Sequence, residues 1–172
     1  KDARGCIVTT GVTISTSGAA TTPIFTAVSP VCSGAVIAAL PTTSLNGITG
    51  TWAPALNNTT TTTYTFTPTA GQCATTTTLA VTINPILSPT INCGISTTSS
   101  VSFTWATVSG ATDYIVSYQI NSGPLFNAGA IGNVLLYQVN GLTGGDNVSI
   151  TVLPVGAAGT CFTSSSNSCT AT

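Results

Sequence analysis

Residues 62–68, TTYTFTP, and residues 77–83, TTLAVTI, decide the fold class of this chain. In both stretches, larger apolar side chains alternate with threonine or alanine at a period of two residues. The alternating apolar positions are Tyr64, Phe66, Leu79, Val81 and Ile83. Because successive side chains of a strand point to opposite faces, this alternation indicates antiparallel strands with one face buried in a core.

Further short strands are predicted along the chain, separated by turns rich in Pro, Gly, Asn and Ser. Up to residue 85 the pattern predicts strands over 24–28, 35–40, 48–53, 62–67 and 77–83. Beyond it, the pattern predicts strands over 90–95, 100–106, 113–120, 125–128, 134–139, 147–152 and 160–170. Strand formers such as Thr, Val and Ile are frequent, Met is absent, and no helix is predicted. The predicted fold class is therefore all-β.

A proline-rich stretch, NPILSP at 84–89, marks a predicted domain boundary. Two prolines four positions apart disfavour continued strand pairing and stiffen a short linker. We therefore predict two tandem antiparallel β-sandwich modules, immunoglobulin-like over residues 23–85 and fibronectin type III-like over residues 86–172. Residues 1–22 form a separate strand or linker segment, because Val8, Val12 and Ile14 share one parity and predict a strand at 7–15.

Charge is nearly missing from this chain, which has two basic residues, three acidic residues and no histidine. Without histidine, Ser-His-Asp and Cys-His catalysis is excluded. Asp113 and Asp146 fall in different predicted turns and offer no carboxylate pair for glycoside cleavage, and Lys1 is interpreted as a solvated terminal charge. Two basic residues cannot neutralise a row of phosphates, which excludes nucleic acid as a designed partner. We predict neither an enzyme nor a cofactor.

Three positions have a candidate ligand role beside a plainer structural one. Asp146 with Asn147 could coordinate Ca²⁺, but that ion takes about six to eight oxygens, often from several carboxylates. A plain Gly-Gly-Asp-Asn turn explains these residues better, and no metal site is predicted. Trp52 and Trp105 could stack on carbohydrate, but we favour a structural core role for both. The threonine-rich runs leave glycosylation open.

The second module resembles a fibronectin type III domain. The resemblance rests on SVSFTWATVSGATDYIVSYQINSG at 100–123 and YQVNGLTGGDNVSITVLPVGAAG at 137–159. Trp105 matches the buried tryptophan of that family's second strand, and Tyr114 matches the tyrosine of its third strand. Gly144 and Val148 depart from the pattern, since the family has a proline and a corner tyrosine there. The resemblance implies an antiparallel sandwich with Trp105 and Tyr114 in its structural core.

The first module looks like a repeat of the giant surface adhesins of Bacteroidota, including the SprB-like gliding adhesins. This resemblance rests on residues 22–85, which open TPIFTAVSPVCSGAV and close TTLAVTINP. In those adhesins, compact immunoglobulin-like units alternate with fibronectin-like units. The two resemblances imply an extracellular, cell-surface filament exported by the type IX pathway. They imply a structural and adhesive role, with gliding motility as a process that it serves.

Six cysteines without histidine, no two closer than eight positions, indicate disulfides formed in an oxidising extracellular compartment. Cys32 and Cys73 are the only cysteines of the first module, so we expect them to pair. In a fibronectin type III sandwich the first and last strands run in the same direction. That direction favours a bond between Cys93 and Cys161.

Cys6 and Cys169 are then left at opposite ends of the chain. They are candidates for bonds to neighbouring modules or to other subunits. The main alternative is a hairpin bridge between Cys161 and Cys169, which leaves Cys6 and Cys93 to cross the module boundary. The sequence does not choose the pairing of Cys6 and Cys169.

Two functions are compatible with a neutral, strand-rich chain that lacks charged edges. The first is a structural or adhesive repeat of one long filamentous adhesin. The alternative is a pilus-like filament subunit that polymerises through its N-terminal strand. Expected partners are neighbouring modules or subunits, with surface glycans or solid substrata as further candidates and no transmembrane segment.

Overall fold

The structure is a computed structural model that describes residues 19–172. Within that range every helix or strand assigned is a β-strand, and the predicted all-β fold is confirmed. The predicted strand at 7–15 and the side chain of Cys6 lie outside the described residues.

Twelve strands are assigned between residues 19 and 172. The first five are β1 (Val31–Cys32), β2 (Gly50–Ala53), β3 (Thr62–Pro68), β4 (Thr77–Val81) and β5 (Ile83–Asn84). The other seven are β6 (Ile91–Thr97), β7 (Ser100–Trp105), β8 (Ala111–Ile120), β9 (Phe126–Ala130), β10 (Leu136–Asn140), β11 (Asn147–Gly156) and β12 (Ser165–Thr170).

The chain divides into two compact units, and neither is continuous in sequence. The first unit contains residues up to Ala27 together with Ala39–Leu56 and Thr63–Leu79. The second unit contains Val28–Ala38, Asn57–Thr62 and Ala80–Thr172. These bounds differ from the module bounds expected at residues 22 and 85, which stay a prediction.

The second unit contains two antiparallel sheets that form a sandwich. One sheet has the strand order β10-β7-β6, and the other has the order β12-β11-β8-β9. Alternation explains the core: along β11 Val148, Ile150 and Val152 are fully buried, whereas Ser149 and Thr151 are half-buried. Strands β6–β12 correspond to the seven strands predicted after residue 90, and the antiparallel sandwich predicted for this part is confirmed.

The last strand begins at Ser165 rather than at residue 160. The chain turns first, because Thr160 N donates to Ala157 O and Gly159 adopts a positive φ of 91°. Phe162 then forms an isolated parallel bridge with Leu87. This detour keeps Cys161 out of the final strand.

The three-stranded sheet β2-β3-β4 contains residues 62–68 and the first five residues of 77–83. In β3 Tyr64 and Phe66 are fully buried, while Thr63, Thr65 and Thr67 are exposed. The predicted final strand at 77–83 is present as β4 and β5, with Thr82 between them. The period-two alternation therefore identified both the strands and their buried face.

The strands predicted at 24–28 and 35–40 are wrong, since the structure assigns no strand to either segment. Ile24 instead exchanges hydrogen bonds with a turn: its N–H donates to Asn46 Oδ1 and its carbonyl accepts from Leu45 N. Residues 35–40 follow a turn that is closed by a hydrogen bond from Ala35 N to Cys32 O. Pro41 comes directly after this segment. An unpredicted parallel pair, β1 with β5, lies in the second unit.

Candidate functional site

Two disulfides connect distant parts of the second unit. Cys32 bonds to Cys161 across a sequence separation of 129, with their Cα atoms 5.5 Å apart. Cys93 bonds to Cys169 across a separation of 76, with their Cα atoms 5.9 Å apart. Both Cα distances lie in the ordinary range for a disulfide. By the chain-entropy argument, loops of this length each stabilise the folded state by on the order of 4–5 kcal/mol.

The expected bond between Cys32 and Cys73 is wrong. Parallel pairing of β1 with β5 places Cys32 beside Asn84, and the chain after β5 pairs with the segment around Cys161. There Leu87 N donates to Cys161 O at 2.9 Å. This sequence of contacts brings Cys32 to Cys161 rather than to Cys73.

The expected bond between Cys93 and Cys161 is also wrong, as is the alternative hairpin bridge between Cys161 and Cys169. Strands β6 and β12 do run in the same direction, as the expectation assumed, but their offset differs. Asn167 Nδ2 donates to Ile91 O at 2.8 Å, which sets Cys169 opposite Cys93. Cys169 is therefore bonded within the chain and is not left for a neighbour.

Cys73 is exposed and is the cysteine without a disulfide among residues 19–172. Its backbone is fixed on both sides, because Thr21 N donates to Cys73 O at 2.9 Å and Thr75 N donates to Thr21 O at 3.0 Å. The Gln72 amide mimics a strand neighbour of Thr49: Gln72 Oε1 accepts from Thr49 N at 2.9 Å, and Gln72 Nε2 donates to Thr49 O at 3.0 Å. The turn thus holds an accessible thiol at a defined place.

Trp105 and Tyr114 lie together in the core of the second unit. Trp105 is 4% exposed, Tyr114 is fully buried, and their ring centroids are 5.7 Å apart. The Tyr114 hydroxyl accepts a hydrogen bond from Val108 N at 2.9 Å, which satisfies a buried backbone donor. The Trp105 indole N–H is buried without an acceptor. Neither ring is available to stack on a sugar.

Trp52 is half-buried in the first unit and packs against Phe25 and Phe66, with ring centroids 4.7 and 5.0 Å away. Its indole N–H donates to Pro41 O at 2.9 Å. The ring also lines an open cavity of about 260 Å³, whose other walls include Leu40 and Pro54. Trp52 is therefore both a packing residue and part of an apolar surface.

Asp146 uses its carboxylate to close a turn. Oδ2 accepts from Thr143 N at 2.8 Å, and Oδ1 accepts from Asn121 Nδ2 at 2.6 Å. The Thr143 hydrogen bond first, and the Asn121 hydrogen bond second, lower the pKa of the Asp146 carboxyl below its usual value. Both oxygens are occupied by donors, and within residues 19–172 no group of three His, Cys, Asp or Glu could hold a metal ion.

Asp113, in strand β8, also accepts hydrogen bonds from backbone N–H groups. Its Oδ1 accepts from Gly132 N at 2.7 Å and from Tyr114 N at 2.6 Å. The two side-chain carboxylates of residues 19–172 thus bind separate parts of the backbone, Asp113 between β8 and the loop after β9 and Asp146 in a turn. Nothing in this arrangement resembles an acid–base pair.

Sequence reasoning missed a row of three aromatic rings in the second unit. Tyr118 in β8 stacks on Phe126 in β9 at 5.2 Å between centroids, and lies 6.0 Å from Tyr137 in β10. Phe126 is 44% exposed. Burial first, and the neighbouring Tyr118 second, raise the pKa of Tyr137. The rings come from three strands, so no spacing in one stretch of sequence signals them.

Comparisons with known proteins identify no family. No protein-family model matches the chain, and no curated protein matches it. Among residues 19–172 no helix is long and apolar enough to cross a membrane.

Solved structures similar to this chain include fibronectin type III domains. The fn3 domain of human collagen alpha-1(XX) has 18% identity and a TM-score of 0.44, over 51% of this chain and 86% of that one. A crystal structure of the FN3 domain of human collagen XX has 15% identity and a TM-score of 0.39, over 50% of this chain and 98% of that one. The FN1–FN3 domains of chicken CNTN1 have 12% identity and a TM-score of 0.42, over 65% of this chain and 42% of that one.

Proposed function

We propose that this chain is a non-catalytic structural and adhesive element of an extracellular filament at a bacterial cell surface. The observation that carries the proposal is the pair of long-range disulfides, which join cysteines 129 and 76 residues apart in a nearly uncharged β fold. Disulfides persist in oxidising extracellular settings. The described side-chain carboxylates are engaged in hydrogen bonds with backbone N–H groups, which supports a structural role over a chemical one.

The finer proposal follows from the resemblance of residues 22–85 to repeats of giant Bacteroidota adhesins. The element is exported by the type IX pathway, and its filament contributes to attachment and gliding. Exposed loops and apolar surface, including the cavity beside Trp52, supply the contacts to surface glycans or solid substrata. Neighbouring modules or subunits of the filament are its structural partners.

Labelling of intact cells tests this proposal. An antibody raised against the folded chain should decorate filaments on unpermeabilised cells of the source organism. Deletion of the coding region should reduce attachment and gliding speed on glass, and restoration of the gene should recover both. Label found only after permeabilisation would contradict the surface location, and unchanged attachment would contradict the adhesive role.

A filament subunit is the second candidate, and the exposed thiol of Cys73 favours it. Four of the five described cysteines are paired, and the sequence holds one further cysteine, Cys6. The backbone of Cys73 pairs with that of Thr21, near the start of the described residues. A bond from Cys6 of one copy to Cys73 of the next would link subunits covalently.

Intact mass of native filaments under denaturing conditions separates the two candidates. Non-covalent or disulfide-linked subunits should give a species near 17.1 kDa after reduction. Without reductant, the Cys6–Cys73 link should give a series of disulfide-linked multimers, and the Cys73→Ser substitution should abolish that series. A reduced species of hundreds of kilodaltons would contradict the subunit and favour a long adhesin.

A further inference from the structure

The two disulfides interleave along the chain, in the order Cys32, Cys93, Cys161, Cys169, with bonds from the first to the third and from the second to the fourth. A covalent cross-link shortens the path that a pulling force follows between two ends of a polymer. Residues enclosed by the cross-link carry no tension until it breaks. The connectivity therefore decides which parts of this chain can be stretched.

We propose that the disulfides give the chain a further function as a tension-bearing link, in which the sequence between Cys32 and Cys161 is shielded from an applied pull. This inference rests on the proposed function as a filament element. The taut path runs from the N-terminal side to Cys32, crosses to Cys161 and continues to Thr172. At roughly 3.5 Å per residue, the separation of 129 shields about 450 Å of chain.

The Cys93–Cys169 bond protects β12, the strand on the C-terminal part of the taut path. Strand β12 lies between Cys161 and the C-terminal end, and hydrogen bonds alone would let it peel away from β11. Cys169 is tied to Cys93 in β6, which belongs to the other sheet. A pull at Thr172 must therefore displace strands of both sheets together.

Polar contacts support the same junction of β6 with β12. Ser96 Oγ donates to Thr170 O at 2.7 Å, and Thr172 N donates to Thr97 O at 3.2 Å. Because these strands run in the same direction, a pull on the end of β12 along its own axis loads the contacts with β6 simultaneously in shear. The bond and the contacts resist the same motion.

Single-molecule extension of the 172-residue chain tests the proposal. Handles are attached at the two ends through cysteine-free tags, in a Cys73→Ser background that removes the exposed thiol. A dithiol reductant cleaves each disulfide: one thiol attacks a sulfur, the second displaces the other, and the reductant becomes a cyclic disulfide. The oxidised chain should extend about 450 Å less than the reduced chain.

Two double variants in this background assign the effect to individual bonds. Cys32→Ser with Cys161→Ser should leave a shortfall of about 270 Å, because Cys93–Cys169 still joins residues 76 apart. Cys93→Ser with Cys169→Ser should keep the full shortfall, and its first extension event should occur at lower force. Each shortfall is the length of covalent path that the remaining bond encloses, so it reports that bond directly.

Equal lengths for the oxidised and reduced Cys73→Ser chains would overturn the inference. An unchanged force for the Cys93→Ser, Cys169→Ser variant would overturn the protective role of the second bond. Neither result bears on where the protein is located, which the labelling of cells tests separately.

Discussion

Tyr114, Asp113 and Asp146 show how single polar residues are used in this chain. Each accepts hydrogen bonds from backbone N–H groups. The Tyr114 hydroxyl accepts from Val108, and the Asp113 carboxylate accepts from Gly132 and Tyr114. The Asp146 carboxylate accepts from Thr143. In a fold with few charged side chains, loops and turns need acceptors for donors that strand pairing leaves unsatisfied. These polar residues, which were candidates for a chemical role, therefore act as hydrogen-bond acceptors for the backbone.

Removing the Tyr114 hydroxyl should destabilise the second unit. In Tyr114→Phe the N–H of Val108, itself 6% exposed, loses its acceptor. An unsatisfied buried donor costs about 1–3 kcal/mol, so the free energy of unfolding should fall by that amount. Denaturant titration of the oxidised protein measures it. Tyr118→Phe, at a half-buried ring, is the matched control and should change stability much less.

Asp146 should make stability depend on pH in the acid range. Its hydrogen bonds with Thr143 N and the Asn121 amide lower the pKa of the folded state below the usual 3.8. A lowered pKa contributes stability above the unfolded-state value, and that contribution is lost as pH falls through the folded-state pKa. The urea concentration at the midpoint of unfolding should therefore decrease in the wild type as the pH is lowered beneath 3.8. The fall should be smaller in Asp146→Asn, and equal falls would refute this role.

At the scale of elements, close approach of strands β2 and β3 requires a glycine. Gly50 is buried, and a Cβ at this position would lie 2.6 Å from the Phe66 ring and would contact Thr67 O. The absence of a side chain on β2 lets the Phe66 ring pack beneath it. The alternating burial of β3 therefore depends on the missing side chain at Gly50, which leaves space for the Phe66 ring.

Gly50→Ala should therefore destabilise the β2-β3-β4 sheet. Overpacking against a backbone oxygen and an aromatic ring costs typically about 1–3 kcal/mol. Hydrogen exchange should accelerate at the amides of β3, and the free energy of unfolding should fall. Gly144→Ala, where nothing lies within 4 Å of the added carbon, serves as control. Equal effects of the two substitutions would argue against this packing.

Strand existence was largely predictable from sequence, because period-two alternation and turn residues act locally. All seven strands after residue 90 are present, and the buried faces of β3 and β11 follow the pattern. The segments 24–28 and 35–40 contain apolar residues too, but the backbone of Ile24 pairs with the turn at Leu45 and Asn46. Disulfide pairing was not predictable, since it depends on the two-residue strand β1 and its distant partner β5.

At the scale of the whole molecule, covalent connectivity decides stability. Cys32→Ser combined with Cys161→Ser should lower the free energy of unfolding by about 4–5 kcal/mol, because the unfolded chain regains the entropy of a long loop. Thermal unfolding in the absence of reductant measures the loss. Cys73→Ser removes an exposed, unpaired thiol and should leave the unfolding temperature unchanged. A comparable loss for Cys73→Ser would indicate that this thiol has a stabilising partner.

The connectivity of the cysteines is the claim on which the force path and the structural role depend. Native protein would be alkylated without reduction, digested, and its linked peptides identified by mass spectrometry. The structure predicts peptides joined through Cys32–Cys161 and Cys93–Cys169. Peptides joined through Cys32–Cys73 or Cys93–Cys161 would contradict it.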